Sequence, residues 1–271
     1  MVPGTVRLPM IALICLLLMY SHSGNQVAAQ QAPPHRAFPG FTQPEPIGFD
    51  DHEGFTQIFD GKTMNGWMGR QGDINPDVVH NMSPDELEQK QAKWNTDRDK
   101  HWHVDVEKGE LVSDGHGVFL ATEKDYHNFE MWVDWLMVEH NGDSGIYLRG
   151  YPQVQIWDPD NPSVQKYGAA KGSGALWNDY EGNPGKWPLV KADNPVGQWN
   201  RFHIKMVGDK VWVWFNDKLT VDGSVLDNYF HLKDHGHIID KGPIELQTHG
   251  SEIRFRNIYV RELEEDGTPM K

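Results

Sequence analysis

The sequence predicts an all-β fold: a two-sheet antiparallel β-sandwich of the jelly-roll kind with a short helical insertion. Three observations carry this. Segment after segment alternates apolar and polar residues with a period of two, the mark of a strand with one buried face. Hairpin-type turns such as Val207-Gly208-Asp209-Lys210 and Asn216-Asp217 join these segments. Helix signals occur once, and no internal repeat is visible, which leaves two packed antiparallel sheets as the simplest architecture.

The chain opens differently. Arg7 precedes the uncharged run "MIALICLLLMY", and Val27-Ala28-Ala29 stands ahead of Gln30. That order of charge, apolar run and small residues is the pattern of a secretory signal peptide over residues 1–29. The apolar run is about half the ~20 residues a bilayer-spanning helix needs. Export to the periplasm or the outside is therefore expected, with no stable membrane insertion after cleavage. The single cysteine, Cys15, lies within this leader, so the mature chain has no disulfide and relies on its core. Residues 30–51, "QQAPPHRAFPGFTQPEPIGFDD", are Pro-rich and aperiodic and read as a linker to a domain over 52–265.

Within the domain, "GFTQIFDGKTMNGW" gives a short strand at Phe55–Phe59 and turns at Gly61 and Asn65-Gly66. Ser83, Pro84 and Glu86 form a capping box with proline at the first helical position, so a helix runs from Ser83 to about Trp94. It is polar nearly all round and is expected to decorate the surface. Strands follow in "WHVDVEKGELVS", "GVFLATEK", "NFEMWVDWLMVE", "SGIYLRG", "YPQVQIWD" and "WNRFHIKMVGDKVWVWFNDKLTVDG". The closing stretch "GPIELQTHGSEIRFRNIYVREL" folds back around Gly250-Ser251. Between Pro159 and Pro195 lies a long Gly-, Asn- and Pro-rich loop holding Trp177 and Trp187, and loops of that length are usually functional when ordered.

Charge and composition narrow the partners. With 25 Lys and Arg against 39 Asp and Glu, the formal charge is −14, which repels phosphate backbones and excludes nucleic acid as a natural partner. Eleven Trp favour carbohydrate, whose rings stack on indoles. Fourteen His raise the question of metal. His101 and His103 would share a strand face, and "HLKDHGH" at 231–237 is dense, but no thiol or His-Glu-x-x-His helix assists them. A divalent metal stays open, with no assigned ligand set and no certain cofactor. Ser144 in "NGDSG" lacks a nucleophile elbow and reads as a turn.

The polar strand faces carry more. Glu245, Gln247 and His249 alternate with buried Ile244 and Leu246. Trp132 and Asp134, Tyr147 and Arg149, and Gln153, Gln155 and Trp157 alternate in the same way. Together they offer carboxylate, amide, imidazole, guanidinium and aromatic groups suited to sugar hydroxyls and rings. One groove lined by all of them is the expectation.

The motifs "GFTQIFDGKTMNGW", "WHVDVEKGELVS", "NFEMWVDW", "GDSGIYLRG", "VQIWD", "GALWN", "GQWNRFHI" and "PIELQTHGSEIRFRNIYVREL" occur in this order from Gly54 to Leu263. In that order they resemble the 3-keto-disaccharide hydrolase domain family. The resemblance implies a concanavalin A-like (lectin/glucanase) sandwich and a sugar already oxidised to a ketone at carbon 3. The chain departs from the family at Gln153, where Glu is common, and in the insertion around Ser83–Trp94.

Such a ketone acidifies the carbon-2 proton. A base takes it, the enolate expels the carbon-1 substituent, and water either adds back or does not. His249 suits the base and Arg149 the enolate oxygen. Asp134 is expected to orient His249, serve as an alternative base, or bind a metal with Glu245. Gln155, Gln247, Glu245, Tyr147, Trp157, Trp132 and Trp177 are the substrate-binding candidates for an oligosaccharide or glycoside. Two rivals are an ordinary glycosidase, for which Glu130 and Asp134 share a strand face but have no third acid in register, and a non-catalytic lectin-like module.

Overall fold

The structure is a computed structural model, and apart from Met1 it describes residues 54–233 and 236–270. The leader and linker assigned to residues 1–51 thus lie outside the described residues, Met1 aside, as does part of the 231–237 histidine run. No helix among the described residues is long and apolar enough to cross a membrane.

Among the described residues thirteen strands form two sheets, and every pairing is antiparallel. One sheet has the order β11 (Lys218–Val225), β10 (Lys210–Phe215), β9 (Asn200–Val207), β6 (Phe129–Met137), β13 (Ile253–Glu262), β4 (Glu110–Ser113), β3 (Trp102–Asp105), with β1 (Thr56–Gln57) added along β13. The other runs β2 (Trp67–Arg70), β5 (Phe119–Thr122), β12 (Glu245–Leu246), β7 (Asp143–Leu148), β8 (Tyr151–Trp157). Both sheets send their alternate apolar residues into one core. Phe129, Met131, Val133 and Trp135 of β6 belong to the same cluster as Leu120, Ile146, Leu148, Val154, Ile156 and Leu246. Each such side chain, fully buried, contributes about 1.5–3 kcal/mol. The predicted sandwich is what forms.

The helical part is larger than the capping signal suggested. α1 (Pro76–His80) precedes α2 (Pro84–His101), whose Ser83 Oγ accepts the Glu86 N–H at the N-terminus. α2 runs seven residues past Trp94 because its polar side chains dock it on β2 instead of leaving it on the surface. Asn95 Oδ1 accepts from Gly69 N, Gln91 Nε2 donates to Gly69 O, and Arg98 donates to Trp67 O. Gly69 permits the approach, since a Cβ there would stand 2.2 Å from Trp94 O.

The long connection between β8 and β9 is also ordered. Gln155 N donates to Ala175 O and Gly174 N to Gln155 O, so the loop covers the free edge of β8. Trp157 Nε1 donates to Gly172 O, and the Trp177 ring meets Trp157 edge-on.

Candidate functional site

The outer face of the five-stranded sheet is built by parity. β7 sends Ile146 and Leu148 to the core and turns Asp143, Gly145 and Tyr147 the other way; in and beside β12, Ile244 and Leu246 face the core and Glu245 and Gln247 the opposite side. Glu245 stands directly opposite Tyr147, and Gly145 opposite Gln155. Arg70 of β2 and Phe119 of β5 complete the row, with Phe119 packed edge-on against Tyr147.

This face is the candidate groove, although Tyr147, Gln153, Gln155, Glu245 and Gln247 are themselves buried in it, and at one end of it the amides form a chain. Gln153 lies across Gly145, where a Cβ would come within 1.9 Å of its Oε1. Gln153 Nε2 donates to Gln155 Oε1 (2.8 Å), and Gln155 Nε2 donates to Asp143 Oδ1 (2.8 Å). The other oxygen of Asp143 is 3.8 Å from His249 Nδ1. Burial raises the Asp143 pKa against the opposing pull of the His249 charge and the Gln155 bond. His249 itself keeps 60% of its side chain exposed, so its second nitrogen is free to meet a substrate.

At the other end Tyr147 donates its hydroxyl to Asp73 Oδ1 (2.5 Å), a residue of the loop between β2 and α1. Arg70 Nε lies 3.6 Å from Glu245 Oε1. Burial pushes the Glu245 pKa up to about 7, which Arg70 opposes and Asp73 reinforces. A carboxyl that keeps its proton near neutrality is what a general acid requires. Arg70 Nε, Gln153 Oε1 and Gln247 Oε1 are buried without a hydrogen-bond partner. Three orphaned polar groups on one sheet face are costly unless a ligand satisfies them.

The raised Glu245 pKa has a thermodynamic consequence. Its folded value exceeds the unfolded one, so between about pH 4.5 and 7 the unfolded chain releases a proton that the folded chain keeps. Stability from this group therefore falls as pH rises through that window and levels off above it, by about 3 kcal/mol in all. Urea unfolding of Glu245→Gln and of the parent chain at pH 4.5 and 7.5 checks this. The parent is expected to lose more stability than the variant across the interval.

Several predicted site residues are elsewhere. Trp132 and Asp134 sit on β6, in the eight-stranded sheet, and point away from the core on the opposite side of the sandwich. Asp134 is fully buried there, accepting from Arg201 (2.6 and 3.0 Å), Arg256 (3.4 Å) and Asn257 (2.8 Å). Trp132 stacks on His203, 4.1 Å between ring centroids. Asp134 thus cannot orient His249 or share a metal with Glu245. Arg149 also leaves the groove. β7 ends at Leu148, and Arg149 and Gly150 form a two-residue turn with φ of 56° and 80° before Tyr151 pairs back with Leu148. The Arg149 side chain donates to His127 O, Gly208 O and Asn128 Oδ1, tying that turn to the other sheet. Six residue steps along the chain put it roughly 20 Å from Asp143.

Trp157 is on the groove face opposite Asp143 but buried by the covering loop, and Trp177 is half-buried in that loop. Arg70, Asp73 and Asp143 were not singled out from sequence. For Asp143 a signal existed, because it shares strand parity with Tyr147. For Arg70 and Asp73 there was none, since β2 is four residues long and reaches the groove only through its pairing with β5. His101 ends α2 and bonds Asp114 while His103 is on β3, so the two do not share a strand face. No group of three or more His, Cys, Asp or Glu among the described residues is placed to hold a metal ion.

Comparison with known proteins gives a consistent picture. The sequence model of the 3-keto-alpha-glucoside-1,2-lyase-like domain matches residues 54–261. A Bacteroides thetaiotaomicron protein named 3-keto-disaccharide hydrolase is 25% identical over 260 residues, 79% of this chain and 80% of its own length. The crystal structure of a candidate glycosyl hydrolase from Parabacteroides distasonis aligns with a TM-score of 0.53 at 24% identity, over 78% of this chain and 95% of its own, and shares the fold.

Proposed function

Because the chain belongs to the carbohydrate-active 3-keto-alpha-glucoside-1,2-lyase-like family, we propose that its groove cleaves 3-keto glycosides by proton abstraction at carbon 2 and elimination at carbon 1. The observation that carries this is the Asp143–His249 pair beside three orphaned polar atoms on one sheet face. Asp143 faces Nδ1 of His249, which leaves Nε2 to remove the carbon-2 proton. The electron pair of that C–H bond forms the enolate, whose oxygen is met by Gln247 Nε2, held only by a long 3.4 Å contact to Tyr147. Collapse of the enolate breaks the carbon 1–oxygen bond, and Glu245 supplies the proton to the departing oxygen. Four residue steps separate Glu245 from His249, at most about 13 Å of extended chain, room for one pyranose ring between the side-chain tips. Addition of water to the alkene gives net hydrolysis; its release unchanged gives a lyase.

Purified protein offered 3-keto-α-glucosides and their unoxidised parents is expected to turn over the former alone. Equal turnover of unoxidised glycosides would mean ordinary glycosidase chemistry, and binding of both without turnover would mean a lectin-like module. The leader reading places this activity outside the cytoplasm. Mass spectrometry of the native protein should then find a mature chain beginning near Gln30, and an intact leader in a soluble cytosolic pool would contradict export.

A further inference from the structure

Next to the groove lies an open cleft of about 830 Å³, bordered by α1, α2, β2 and the segment leading into β12. Its volume falls in the range of small-molecule sites, roughly 300–1,000 Å³. Arg70 belongs to both spaces: it lines the cavity, and its Nε lies 3.6 Å from the Glu245 carboxylate on the groove face. That same Nε is buried without a hydrogen-bond partner, and Arg70 is only 6% exposed. A substrate held in the groove with its carbon-1 oxygen at Glu245 would send its leaving group past Arg70 into this cavity.

We infer that the cavity is the aglycone subsite and that it takes an uncharged, apolar aglycone, such as an aromatic alcohol, in preference to a second sugar. This rests on the proposed 3-keto-glycoside chemistry of the groove and names its substrate class. The walls supply Met68, Val79, Met82, Leu87 and Pro243. Among the described residues no Trp, Tyr or Phe lines the cavity, so a pyranose ring finds no such face to stack on there. Of its polar side chains, Gln91 and Asn95 are committed to the backbone of Gly69 and to each other, which takes them from the hydroxyls of a second sugar; His80, Glu88, Glu123, Asp125 and Lys241 are exposed. The exposed Glu88, Glu123 and Asp125 around it are largely offset by Arg70 and Lys241, so the lining carries little net charge to draw an ionic leaving group. Half of the lining residues come from α1 and α2, and Pro84, Leu87, Glu88, Gln91 and Ala92 belong to the insertion around Ser83–Trp94.

The test compares kcat/KM for phenyl, methyl and glucosyl 3-keto-α-glucosides in the full chain. It adds Leu87→Trp, which fills the cavity from a half-exposed position on α2, and Leu87→Asp, which makes its wall polar. The phenyl substrate is expected to exceed the methyl and glucosyl ones by at least ~10-fold, the scale on which an apolar pocket discriminates. Both variants should cut that ratio to near parity. Calorimetric binding of unoxidised phenyl α-glucoside, weakened in both variants, reads the same subsite without turnover. A glucosyl preference, or a phenyl preference and phenyl-glucoside affinity that neither variant changes, would overturn the inference. Absence of turnover on every 3-keto substrate, with phenyl-glucoside binding intact and sensitive to Leu87, would instead sink the chemistry and leave the apolar subsite standing.

Discussion

Replacing His249 with Ala is expected to lower kcat/KM on a 3-keto glycoside by at least ~10²-fold, the lower range for losing a general acid or base. The side chain is 60% exposed and makes no contact closer than 3.8 Å to Asp143. Its loss should therefore shift unfolding by no more than ~0.5 kcal/mol, as exposed substitutions usually do. Asp143→Asn sharpens the reading. It keeps the shape and can still accept from Gln155, but removes the charge that would steady a protonated His249. Activity should fall and its pH profile should move. An active His249→Ala protein would exclude the imidazole as the base.

Asp134→Ala is expected to produce the opposite pattern. Asp134 is fully buried and holds two guanidiniums, Arg201 and Arg256, which are 19% and 15% exposed. Removing one member of such a network strands the other charges, at about 3 kcal/mol, the lower end for a buried pair because the arginines retain some water. A second loss adds to this. The Asp134–Asn257 bond pins the β-bulge in β13, where Asn257 has a φ of 52° and the register to β6 shifts. Urea unfolding should show the destabilisation. Activity per folded molecule should persist, since the groove is on the other sheet. A stable but inactive variant would move the active site to the eight-stranded sheet.

The contrast between these two residues shows what the sequence could convey. Alternation told which residues of each strand face the core, where Ile244, Leu246, Ile146 and Val133 all lie, but not that strands such as Tyr151–Trp157 are buried on both faces. It said nothing of which outer face a polar residue joins, because a sandwich has two, and strand parity is the same on both. Asp134 and Glu245 looked alike for that reason. Arg149 failed differently. Its parity matches Asp143 and Tyr147, but the strand stops one residue earlier, and an Arg-Gly pair at positive φ made the turn. The helix boundary depended on contacts from α2 to Gly69 and Trp67, which no local signal reports. Arg70 and Asp73 reach the groove through long-range pairing alone, so only the folded chain reveals them.

The central claim is that this groove removes the carbon-2 proton of a 3-keto sugar with His249. A primary isotope effect tests it most directly, with kcat/KM compared for a 3-keto-α-glucoside carrying hydrogen or deuterium at carbon 2. The account predicts slower cleavage of the deuterated substrate, with the residual activity of His249→Ala depending on added base such as imidazole. Equal rates for both substrates, together with glycosidic cleavage that proceeds without the ketone, would contradict it.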